Sequence, residues 1–120
     1  MGYYTKFELD IKGAGERWVT GVDENGIKTR VNIGVDHDEI TRELLTLAGY
    51  DSLFDDDTHK WYEHDNNMRE ISRKYPDILF VLSGEGEESG DLWRCYYKAG
   101  KAQRSIASII YEEFDHSKLN

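Results

Sequence analysis

Tyr3, Thr5, Phe7, Leu9 and Ile11 fall on one side of an extended segment, a period of two that predicts an opening strand. Lys12-Gly13-Ala14-Gly15 breaks it. Residues 17–22 and 27–35 predict the arms of a hairpin turned by Asp23-Glu24-Asn25-Gly26, since Asn and Gly both tolerate positive φ. Val31, Ile33 and Val35 share one side of the second arm, the side expected to face inward.

The period then becomes helical. Asp36 suits an N-cap, Glu39 completes a capping-box pattern, and Ile40, Leu44 and Leu47 follow at helical spacing until Gly49. Residues 50–57 form an acidic loop with Leu53 and Phe54 as anchors. A second helix is expected over 58–75, stopped by Pro76, with Trp61, Met68, Ile71 and Tyr75 on one stripe shared by His64 and Asp65. The apolar run 78–82 predicts a central strand, and 84–90 a turn. Residues 91–98 predict a strand with Trp93, Cys95 and Tyr97 on one face and Leu92, Arg94 and Tyr96 on the other. Ala99-Gly100-Lys101 turns it into a long final strand over 102–114, before a frayed end. The expected fold is one α+β domain over 1–120. It is a mostly antiparallel sheet of about six strands, in the order β-β-β-α-α-β-β-β, with two helices packed on one face.

The chain has 120 residues, enough for one modest core, and its 12% aromatic content argues against disorder despite a mean hydropathy of -0.73. Its formal charge of -9 excludes a general binder of the nucleic-acid backbone. Residues 36–70 carry nearly all of it, with eleven acids against Arg42, Lys60 and Arg69. A negative face is therefore expected, able to compete with nucleic acid for a basic groove on a protein. No apolar run approaches a membrane span and no signal-peptide pattern follows Met1, so the expected location is cytoplasmic. Cys95, the one cysteine, excludes an internal disulfide, and its mid-strand place suits packing better than nucleophilic chemistry.

Three side-chain sets stand out. Glu85, Glu87, Glu88 and Asp91 surround the glycines of the 84–90 turn and offer oxygen ligands to a hard cation, although the spacing is not that of a calcium-binding helix-loop-helix. Tyr3, Tyr4 and Trp93, with Arg94 and Arg104 on the last hairpin, offer rings and cations to a phosphorylated nucleotide. Asp51, Asp55, Asp56, Asp57 and Glu63 offer a carboxylate surface to a protein. His59 and His64 are five apart and diverge by roughly 140° around a helix, which argues against a shared metal. His64 is expected instead to be partly buried and hydrogen-bonded near Trp61.

Two stretches also carry a resemblance. Met1-Gly2-Tyr3-Tyr4-Thr5, and the run 61–101 with Gly84-Glu85-Gly86-Glu87-Glu88 ahead of Gly90-Asp91-Leu92-Trp93-Arg94, resemble a family of small proteins of bacteriophages and bacteria. The resemblance implies stoichiometric binding to host machinery and brings no catalytic residues. The favoured expectation is therefore a non-enzymatic protein that needs no cofactor and blocks a host protein through its acidic surface. A sponge for a small nucleotide-like signal is the alternative, and a metal-assisted hydrolase using the 85–91 acids with His64 is the third. An exposed edge at 3–11 or 102–114 would support a homodimer.

Overall fold

The computed structural model describes residues 2–15, 17–32 and 34–120. The fold is α+β, and the described residues form seven strands and two α-helices: β1 (Thr5–Lys12), β2 (Trp18–Val22), β3 (Lys28–Asn32), α1 (His37–Ala48), β4 (Thr58–His59), α2 (His64–Lys74), β5 (Leu79–Gly86), β6 (Leu92–Lys98) and β7 (Lys101–Ile106). Five strands form an antiparallel sheet in the order β4-β1-β5-β6-β7, while β2 and β3 form a separate two-stranded sheet.

Alternation along the strands decides which side of the main sheet is covered. Phe7 and Ile11 of β1, Phe80 and Leu82 of β5, and Trp93, Cys95 and Tyr97 of β6 are buried in one core with Ile40 and Leu44 of α1 and Met68 and Ile71 of α2. Lys6, Glu8, Arg94, Lys98 and Lys101 lie exposed on the other side. Asp36 caps α1 by accepting from the Asp38 N–H at 2.9 Å, and Gly49 ends it at φ 80°, as the sequence predicts.

Three elements depart from expectation. Residues 58–63 are not helical, because Thr58 and His59 pair with Lys6 and Thr5 of β1 as a short seventh strand. Trp61 nevertheless fills the core from the turn ahead of α2, its indole N–H donating to Asn67 Oδ1 at 2.7 Å. The last strand ends at Ile106, and 107–115 continues without ladder beyond the Ala107 N–H bond to Leu92. Val31 faces solvent rather than the core, since β2 and β3 form a sheet apart from the main one, while Val35 does pack against the core and Ile33 lies outside the described residues. In the turn of that hairpin only Gly26 uses positive φ, at 79°, and Asp23 Oδ1 accepts from Asn25 and Ile27. As for sheet edges, β7 is one, whereas β1 lies inside the sheet with β4 covering only Thr5 and Lys6.

Candidate protein-binding site

The acidic loop between α1 and β4 is built from inside outward. Leu53 is fully buried, and Phe54 packs edge-on to Trp61 with ring centres 6.1 Å apart. These anchors hold a tight turn in which Asp56 takes φ 65°, a left-handed conformation uncommon for any residue but glycine. Asp55 accepts from His59 Nε2 at 2.8 Å and from the Asp57 N–H at 3.1 Å. Those bonds, with one from Ser52, hold its carboxyl down at about 2, His59 contributing most. Asp55 is therefore spent inside the loop. Asp56 points outward with its side chain 95% exposed, and Lys6 reaches it only at 3.6 Å. Asp51 and Asp57 are exposed beside it.

Glu63 lies past β4, at the N-terminus of α2, where it accepts from Asn66 at 2.8 Å. Between it and the loop stand two exposed rings. Tyr4 carries the Lys60 ammonium 4.7 Å from its ring centre, and the Tyr62 hydroxyl accepts from the Tyr3 N–H at 2.8 Å. Asp51, Asp56, Asp57 and Glu63 are thus exposed on the segments flanking β4, as are Tyr4 and Tyr62, with Lys6 on Asp56 and Lys60 on Tyr4.

The 84–91 turn is clamped by the chain's first residues. Tyr3 donates its hydroxyl to Asp91, and the same oxygen accepts from the Glu88 N–H at 3.2 Å. Bonding to Asp91, above all, pushes the Tyr3 phenol above its ordinary value. Glu87 accepts from the Tyr4 N–H at 2.7 Å. Gly86 is needed because a Cβ there would overlap Tyr3 and Asp91, and Gly84 because Trp93 lies flat across it. The two stretches that carry the family resemblance are therefore one physical unit. Glu85 is exposed on the uncovered face of the sheet, opposite Lys6 and Leu92. Among the described residues, no group of three or more His, Cys, Asp or Glu side chains is placed to hold a metal ion.

The nucleotide set is divided by the sheet. Arg104 lies on the helix side, its guanidinium 4.6 Å from the Trp93 ring centre, whereas Arg94 extends from the uncovered face toward Ser83. The two arginines cannot reach one phosphate together. Trp93 is buried and stacked on His64 at 5.1 Å, so its face is not open to a base. His64 Nδ1 lies 2.9 Å from the Trp61 carbonyl oxygen, and Asp65 accepts from Tyr97 at 3.0 Å and Arg69 at 2.9 Å. Burial opposes ionisation of Asp65, but the bonds from Arg69 and Tyr97 hold it below the ordinary carboxylate value. Burial, reinforced by Cys95 and Asp65, pushes the Tyr97 phenol up. These polar groups on the α2 stripe are thus structural partners of the β6 core residues.

The uncovered sheet face carries two open grooves of about 680 and 530 Å³ that share Glu8, Leu9, Ser83, Arg94 and Tyr96. Charges of both signs line them, with no single sign to select an anion. The sequence places Tyr4 in the nucleotide set and assigns Tyr62 to no site, since an isolated exposed tyrosine has no periodicity.

No family model, curated protein or solved structure matches the chain. No helix among the described residues is long and apolar enough to cross a membrane.

Proposed function

We propose that this protein acts by stoichiometric binding to a host protein, phage-fashion, in the bacterial cytoplasm, through the carboxylates of loop 51–57 and the flanking Tyr4 and Tyr62. The observation that supports this reading most directly is the construction of the loop. A left-handed Asp56, the buried Leu53, the half-buried Phe54 and an Asp55–His59 bond hold Asp56 and Asp57 out toward solvent before any partner arrives. Preorganised charge lowers the ordering cost of association and steers a basic partner, while exposed tyrosines supply the apolar contact that carries affinity. The partner is a basic protein surface of the kind that handles nucleic acid. Inhibition follows from occupancy and requires no turnover.

The test is retention of bacterial lysate proteins on the immobilised chain, compared with an Asp51→Lys/Asp56→Lys/Asp57→Lys variant. Asp55 is left intact because it holds the loop together. A protein retained by the native chain at low salt and lost by the variant is the expected result. Identical retention profiles for the two would exclude the loop as the binding surface.

A further inference from the structure

We propose that a second copy of this chain covers the β2–β3 hairpin, with the partner's C-terminal segment 107–119 laid along it, so that the working protein is an arm-exchanged homodimer. The accessible surface is 8920 Å², where a compact chain of 14.0 kDa exposes about 6,700 Å². The excess is about 2,200 Å² per chain, the area that one subunit of an obligate homodimer buries. The radius of gyration is likewise 20.0 Å against about 14 Å for a compact domain of this length.

That excess has two sources. Among the described residues β2 and β3 pair only with each other, and a two-stranded hairpin without further cover is at best marginally stable in water. Opposed residues share a face, so Val19 and Val31 with Ile27 make one apolar, β-branched face, all exposed. The second source is the segment after β7, where Ile110 is 88% and Tyr111 86% exposed, with Ile109, Phe114 and Leu119 also open to solvent. Scattered exposed apolar residues are ordinary, but a continuous run on an extended segment marks an interface.

Charge selects a second copy as the occupant. At -9 the chain as a whole repels itself, yet strands β2 and β3 carry Lys28 and Arg30 and no acid, on the face opposite Val31, although Glu16, Asp23 and Glu24 flank them in the sequence. The terminal segment carries Glu112, Glu113 and Asp115 against Lys118. In a twofold dimer each chain gives one basic arm and one acidic tail, so the same contact forms twice. An extended tail can also add to the open edges of β2 or β3 through backbone hydrogen bonds.

The experiment is sedimentation equilibrium on the full chain at micromolar concentration, with no other protein present. A mass twice that of the chain is expected. Glu112→Lys/Glu113→Lys should raise the dimer dissociation constant about tenfold or more, as like charges meet across the interface, and Lys28→Glu/Arg30→Glu should do the same. Combining the four substitutions should restore the dimer. These side chains are exposed, so circular dichroism should show an unchanged fold in every variant. A native chain that sediments as a monomer would overturn the proposal, as would a dimer indifferent to both charge reversals or one not restored by their combination.

Discussion

Gly84 and Gly86 stand two apart on β5, on the covered side of the sheet, and each makes room for a different neighbour. At Gly84 the neighbour is the Trp93 ring, at Gly86 the Tyr3–Asp91 bond. Replacing Gly84 by Ala pushes a methyl group into that ring and should cost about 1–3 kcal/mol by denaturant unfolding, with a shift in tryptophan emission as Trp93 is displaced. Asp55 gives a second prediction. Its folded value of about 2 lies below the ordinary 3.8, so its contribution to stability is complete above about pH 4 and is lost as pH falls through about 2. Denaturant midpoints measured between pH 5 and pH 2 should fall more steeply for the native chain than for Asp55→Asn; equal slopes would remove this role. In the sequence, Gly-Glu-Gly-Glu-Glu reads as a ligand loop because glycines and carboxylates are what a cation site uses. Their employment by Tyr3 and Tyr4, more than eighty residues away, has no local signature.

At the scale of elements, the β6–β7 hairpin is riveted to α2. Its turn uses positive φ at both Ala99 and Gly100, and the buried Ser72 hydroxyl accepts from the Gly100 N–H at 2.8 Å. Ser72→Ala leaves that N–H without its partner and should lower stability by about 1–3 kcal/mol in urea unfolding. Periodicity made much of this level legible. The inward faces of β1 and β6, the cap at Asp36 and the stop at Gly49 each depend on neighbours within a few positions. The start of α2 did not show, because residues 58–59 are claimed by pairing with β1, which outweighs local helical preference. The end of β7 did not show either. Residues 107–114 have strand-like composition, but strand formation depends on a neighbour to pair with, and beyond Ala107 β6 offers none. The same holds for Val31, which lies exposed on the separate two-stranded sheet.

For the whole molecule, composition foretold one modest core and a negative surface, and the fold locates both. The core lies between one face of the main sheet and the two helices; the outward-held acids gather at the β4 end of that sheet. What composition cannot disclose is shape. A chain with 38% hydrophobic residues has enough to fill a core, and here part of that supply is held on a hairpin and a tail outside it. The binding of a basic protein proposed for the acids of loop 51–57 is tested by the dissociation constant for the protein retained from lysate, taken across a salt series for the native chain and for Asp51→Lys/Asp56→Lys/Asp57→Lys. Affinity that falls as salt rises, with the variant weaker by the widest margin at low salt, is the predicted result. The same affinity for both chains at every salt concentration would contradict it.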